Sequence, residues 1–379
     1  MNYSFFKKNA QKVRDRMREE GIDVMILTHQ QKYSYVAGTY HNDFNLGNCI
    51  FLWADQEPTL LVALGEHGRL QTEGYIKDLR VWAPAYAGIT PHGFCETAID
   101  ILNERGYANK TIAVEMPSIS YIFLDHLKRN LPEATIIDGE DMINHVMMLK
   151  DEEELELIRR ACAIADAGTR QIIENARVGV TEAELMGYAE KEMRRLGAAY
   201  YYTPNQCLFT SARGGGDHIP TDKILVPGDR IYYDLHPVWH EYRTDSFRTL
   251  AFGKQSKSFM KMVEFMVPVI GQLNKMMVPG ASTTEIEKWY LSTLKSGGYP
   301  DYGSVPLGHG IGTGHLPPTF YHTDDYALEE NVMVVPCAHI YDLVSPDGGV
   351  FALEYVVCVK KGGAEVFTKY PLDLITIDC

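Results

Sequence analysis

A carboxylate set inside an apolar strand constrains a fold more than any helix does. This chain has one at Glu354, in the run GVFALEYVVCV over residues 349–359. Desolvating an unpaired carboxylate costs on the order of several kcal/mol, so a buried one is paired or bound to a metal. The strand either lies at a sheet edge with Glu354 facing water, or delivers Glu354 to a cation.

Three further stretches bear on that choice. In DRIYYDLHPVWHEYRTDSFRTLAFG, Asp234 ends an apolar strand and Asp245 follows eleven residues later, near the start of the next. A hairpin across that interval brings both carboxylates onto one face, where each raises the other's pKa unless a cation lies between them. Solvated caps at loop edges are the plainer reading. In SVPLGHGIGTGHLPPTFYH, His309 lies among four glycines that permit close backbone approach and leave the imidazole uncrowded. A surface loop fits this motif as well. In SARGGGDHIPTD, His218 stands between a triple-glycine run and Pro220. It is either a proton donor or oxyanion stabiliser beside a metal, or part of a polar turn. Together Asp, Asp, His and Glu are the oxygen and nitrogen donors of a hydrolytic metal site.

Hydrophobic periodicity divides the chain. Strand-like runs (DVMILTH, CIFLWAD, PTLLVAL, TIAVEM, TIIDG) alternate with helical ones up to about residue 145, which predicts an α/β domain over 1–145 with a mostly parallel or mixed sheet. From MMLKDEEELELIRRACAIADAG onward, long helices and then Gly- and Pro-bounded strands predict an α+β domain over 146–379. At 379 residues two domains are expected. The net charge of −14 argues against nucleic acid or an anionic membrane as partner. Seven cysteines without CxxC spacing predict reduced thiols. No apolar run reaches the length of a signal sequence or a membrane span, so the expected location is cytoplasmic.

The ordered motifs GDRIYYDL, TDSFRT, GHGIG and a strand ending in Glu, preceded by YSYVAGTY, resemble the creatinase, prolidase and aminopeptidase P family. These are the metalloenzymes with the pita-bread fold. The resemblance implies an α+β pita-bread catalytic domain behind a smaller α/β creatinase-like N-terminal domain. It implies one or two divalent transition-metal ions (Zn, Fe, Mn or Co) held by Asp234, Asp245, His309 and Glu354, with Asp245 and Glu354 bridging. His218 matches the histidine that contacts the substrate, and His315 stands near the second histidine of an HExP motif. There the chain departs, with Leu316 in place of glutamate and His315 six positions after His309 rather than seven. A homodimer is implied too, with HNDFN (His41 to Asn45) reaching the neighbouring subunit's site.

A larger departure lies in NVMVVPCAHIY. Peptidases of the family read roughly GMVxTxEPGxY, and an ungapped overlay puts Cys337 on the ligand glutamate, Ala338 on the proline and His339 on the second glycine. Cys337 is then a thiolate ligand, which favours Zn²⁺ or Fe²⁺ over Mn²⁺. Its side chain is two bonds shorter than glutamate, so the backbone must come closer or His339 must offer a donor instead. The alternatives are loss of the metal, as in creatinase, with chemistry resting on His218 and carboxylates, or a non-catalytic binder on the same fold. The expected activity is metal-dependent C–N hydrolysis of an Xaa-Pro dipeptide or N-terminal Xaa-Pro peptide, with His218, His315 and Glu354 as catalytic groups. The alternative is a small-molecule hydrolase or lyase acting on a creatine-, ectoine- or sulfonium-like compound. Tyr200 to Tyr202 are candidates for a pocket wall, or for simple packing.

Overall fold

The computed structural model describes residues 4–39, 47–82, 92–210, 218–299, 306–345 and 347–379. The HNDFN stretch and the glycine run before His218 lie outside them. The chain forms two compact units, 1–147 and 148–379.

In the first unit the elements alternate as α1 (Ser4–Glu19), β1 (Val24–Leu27), α2 (Gln30–Ala37), β2 (Cys49–Trp53), β3 (Thr59–Ala63), α3 (Leu64–Glu73) and β4 (Asp78–Trp82). Then come α4 (His92–Glu104), β5 (Thr111–Val114), α5 (Tyr121–Asn130), β6 (Thr135–Asp138) and α6 (Glu140–Met148). The sheet order is β4-β3-β2-β1-β5-β6. It is mixed: β1 pairs parallel with β5 and antiparallel with β2. Strands β1 and β2 are buried throughout, which is why they read as unbroken apolar runs. At the end of β5, fully buried Glu115 accepts from the backbone N–H groups of Thr28 and His29 at the start of α2, and Lys32 lies 3.7 Å from its other oxygen.

The second unit opens with α7 (Glu152–Asn175) and α8 (Glu182–Arg195), each started by a capping box, Asp151 with Glu154 and Thr181 with Glu184. Next come β7 (Tyr200–Tyr201), β8 (Gln206–Thr210), β9 (Arg230–Leu235), β10 (Pro237–Trp239), β11 (Tyr242–Arg243) and β12 (Ser246–Phe252). After α9 (Lys257–Met276) and α10 (Thr283–Ser296) follow β13 (Gly308–Ile311), β14 (His315–Leu316), β15 (Met333–Asp342), β16 (Gly349–Glu354), β17 (Val357–Cys358), β18 (Glu365–Val366) and β19 (Ile375–Ile377). One sheet runs β14-β13-β15-β16-β12-β9-β8, and a small one runs β11-β10-β7. Helix α9 packs Phe259, Met262, Met266, Ile270 and Leu273 into one apolar cluster with Val334, Ala338, Ile340, Phe351 and Leu353 of the large sheet.

This is the pita-bread architecture behind a creatinase-like unit that the motifs imply. The GVFALEYVVCV run is two strands, not one: β16 and β17 pair with β15 in a single register, but the pairing is interrupted after Glu354, and the neighbour on the other side changes from β12 to β18.

Candidate metal centre

The hairpin from β9 to β12 builds half of the site. Its tip is a tight turn in which His240 and Glu241 both take left-handed φ, at 48° and 68°. Such mirror-type turns match the twist of paired strands, so the register on either side is fixed. Val238 pairs with Arg243 across β10 and β11, and Ser246 with Leu235 across β12 and β9. One continuous register therefore places Asp245, in the gap between β11 and β12, opposite His236, in the gap between β9 and β10. Helix α7 pins the hairpin: the Tyr242 hydroxyl donates to Glu154 at 2.9 Å, and the Thr244 hydroxyl lies 3.3 Å from Cys162 Sγ.

The other half comes from three neighbouring strands. Strand β13 pairs with β15, with His309 opposite Val335. A Cβ at Gly308 would meet the Val335 carbonyl oxygen at 2.7 Å, and one at Gly310 would collide with the Pro317 carbonyl, so these glycines serve close backbone approach. Strand β15 pairs with β16 so that Cys337 is the direct partner of Glu354.

These strands converge on a buried cluster. Asp234, His236 and Asp245 form one group of prospective ligand atoms within 4.8 Å of one another. Asp245, His309 and His315 form a second such group, and His309, Cys337 and Glu354 a third. His236 Nε2 lies 2.9 Å from Asp234 Oδ2 and 3.4 Å from Asp245 Oδ1. Asp245 Oδ2 lies 3.1 Å from His315 Nε2 and 3.6 Å from His309 Nε2. His309 Nδ1 is held 3.0 Å from the Gly310 carbonyl, which leaves Nε2 as the free donor atom facing the carboxylates.

The electrostatics are those of carboxylates crowded out of water. Burial, reinforced by neighbouring Asp245, pushes Asp234 up to about 7 against the pull of His236. Burial opposes the charge on Asp245 as well, but His236, His315 and His309 outweigh it and hold that carboxyl well below the usual range. His236 is raised well above an ordinary imidazole: burial disfavours its charge, and both aspartates more than reverse this. Burial and Glu354 raise the Cys337 thiol far above its ordinary value.

The residues fit a metal ion. Asp234 Oδ1 and Asp245 Oδ1 are buried without a hydrogen-bond partner, which a cation would relieve. The donor set, with carboxylates, imidazoles and one thiol, is that of a borderline divalent ion.

Five residues expected from the sequence, Asp234, Asp245, His309, Cys337 and Glu354, are thus brought together, and His315 joins through its contact with Asp245. His218 is exposed, and its backbone carbonyl accepts from Cys207 N–H. Among the described residues no side-chain contact links it to the cluster. His339, weighed as a substitute donor, instead lies 2.9 Å from Glu354 Oε1 and backs that carboxylate. Of the tyrosines, Tyr202 lies beneath the buried Arg243 guanidinium, 3.7 Å from its ring centre, and beside the His315 ring. Tyr200 and Tyr201 bond to Glu241 and to the Glu190 carbonyl. His236 was not among the residues expected. The available signal was its place two residues after Asp234, on the same face of an extended chain.

Fold and cluster together define a metal-dependent hydrolase. Residues 156–361 match the model for metallopeptidase family M24, and residues 10–148 match the creatinase/prolidase N-terminal domain. The chain belongs to metallopeptidase family M24. An Xaa-Pro dipeptidase of Pyrococcus furiosus is 25% identical, over 97% of this chain and 100% of its own length. An X-Pro aminopeptidase of Thermotoga maritima has the same fold, with a TM-score of 0.84, 21% identity and coverage of 97% and 99% of the two chains. A prolidase of Pyrococcus horikoshii superposes at a TM-score of 0.80, with 22% identity over 97% and 100%. No helix among the described residues is long and apolar enough to cross a membrane.

Proposed function

We propose that this protein hydrolyses the amide bond of short Xaa-Pro peptides, as an Xaa-Pro dipeptidase or aminopeptidase P-like enzyme. Asp234, Asp245, His309, Cys337 and Glu354 would hold one or two divalent ions, Zn, Fe, Mn or Co. The observation that carries the reading is the pair of unpartnered buried oxygens, Asp234 Oδ1 and Asp245 Oδ1, in a cluster where His309 Nε2 lies 3.6 Å from the other Asp245 oxygen. The Xaa-Pro dipeptidase relative supports the substrate class.

Such an ion, when bound, polarises the scissile carbonyl and acidifies a water molecule. The chain's own groups do the rest. Glu354, backed by His339, takes and returns the proton at its carboxylate. His315 has half its side chain exposed and is oriented through Nε2 by Asp245, so it meets the substrate at the mouth of the cluster. His218 stabilises the developing oxyanion, a role that rests on the family resemblance. Free cysteines throughout the chain support a cytoplasmic location. A homodimer is the assembly the resemblance implies, and light scattering tests it.

The test is to strip the protein of metal, reload it with each of the four ions, and measure proline release from Xaa-Pro dipeptides and tripeptides. Stoichiometric uptake with turnover is expected; failure to bind any of the ions overturns the reading. A second reading, a small-molecule hydrolase or lyase of creatinase, ectoine hydrolase or sulfonium lyase type, is favoured by two positions. Buried Leu316 and Cys337 stand where peptidases carry carboxylates. Stoichiometric metal without peptide turnover would select it.

A further inference from the structure

His236 is built into the cluster as deliberately as His309 is. Its backbone N–H donates to Asn205 Oδ1 at 3.0 Å, and its Nδ1 lies 2.9 Å from the Thr203 hydroxyl. With Nδ1 held there, Nε2 points between two carboxylates, 2.9 Å from Asp234 Oδ2 and 3.4 Å from Asp245 Oδ1. The same device orients His309, with the Gly310 carbonyl in place of Thr203. A metal-binding histidine has one ring nitrogen tied by a hydrogen bond and the other turned to the ion, and here Nε2 is grouped with prospective ligand atoms of Asp234 and Asp245. Asp234 Oδ1, the oxygen turned away from His236, and Asp245 Oδ1, the oxygen nearest to it, are both buried without a hydrogen-bond partner, so the acids around His236 keep unused donor capacity.

We propose that His236 is the third protein ligand of an ion held by Asp234 and Asp245. This rests on the reading of the cluster as a metal centre and refines it into two adjoining positions. The first has two carboxylates and an imidazole, from Asp234, His236 and Asp245. The second has imidazole, thiol and carboxylate from His309, Cys337 and Glu354, with Asp245 alongside. Nitrogen at both positions and sulfur at one select zinc, cobalt(II) or iron(II) over the ions that prefer all-oxygen shells.

The competing account is that His236, as an imidazolium between the two acids, replaces the ion. The two accounts differ in the number of ions bound. Metal-free wild type, His236→Ala and His236→Glu are titrated with Co²⁺, bound cobalt is counted by mass spectrometry after gel filtration, and absorption spectra are recorded. Wild type is expected to bind two ions and show a sulfur-to-cobalt charge-transfer band from the Cys337 position. His236→Ala should keep the band and lose one ion, and His236→Glu, which restores a donor of similar reach, should regain it. If His236→Ala binds as many ions as wild type, or more, His236 is not a ligand. If wild type binds none, the metal-centre reading falls with it. Should the variants fail to fold, anomalous diffraction at the cobalt edge from wild-type crystals decides. A peak about 2.1 Å from His236 Nε2 is expected, and a peak beyond hydrogen-bond distance overturns the assignment.

Discussion

Cys337 and Glu354 are direct partners across the antiparallel β15–β16 pair, and both offer a ligand atom to the group that contains His309. The strand pairing therefore supplies the close approach that the short cysteine side chain requires. Restoring the longer acid at this position is a direct test. Cys337→Glu is expected to shift metal preference from Zn²⁺ toward Mn²⁺ and to raise kcat/KM on Xaa-Pro dipeptides. Competitive loading with both ions followed by metal analysis reads the first effect, and proline release reads the second.

Asp245 is the one carboxylate that appears in two of the three ligand groups. Asp245→Asn should reduce metal occupancy across the cluster, whereas Asp234→Asn should affect one position. The loss of activity for Asp245→Asn should exceed the roughly 10- to 100-fold that a supporting residue costs. Metal counting beside steady-state kinetics separates the two variants.

Among the described residues, Thr203 touches the cluster by way of His236 alone. Thr203→Val keeps the shape and removes the hydroxyl, so metal affinity should fall by about 10- to 100-fold with little change in thermal stability. Isothermal titration of the metal-free protein measures the affinity; an unchanged value would mean that Thr203 does not orient the ring.

Gly310→Ala forces a methyl group into the Pro317 carbonyl on the neighbouring segment. Overpacking of this kind costs about 1–3 kcal/mol. Because the clash sits next to His309, metal uptake should weaken along with the melting temperature, as calorimetry with and without metal would show.

In the N-terminal unit, burial raises the pKa of Glu115, with Lys32 and two backbone N–H groups opposing it. The folded state therefore holds this proton more tightly than the unfolded chain does. Its contribution to stability is full below the unfolded pKa and is lost as pH rises through the folded value. Glu115→Gln cannot titrate, so its melting temperature relative to wild type should climb as pH rises from about 4 upward. Thermal melts across that range check the sign.

Among the candidate metal-site residues, Glu354, Asp234 and His309 were legible in the sequence because each breaks a local pattern: Glu354 and Asp234 interrupt apolar strands, and His309 stands among glycines. Cys337, inside an apolar run, was reached only through the family resemblance. His236 was not legible, since DLHP reads as an ordinary strand end until the turn at His240 and Glu241 sets it opposite Asp245. Arg243, fully buried against Tyr202, was hidden for the same reason, because its surroundings come from residues far away in the chain. The division of GVFALEYVVCV into two strands also depends on pairing, which no local pattern records.

Asp245 lies where one chain segment leaves the small sheet and enters the large one. The small sheet holds Arg243 and carries the turn, while the large sheet carries His309, Cys337 and Glu354. A shear of one sheet against the other would thus move a single carboxylate that both the His236 group and the His309 group share.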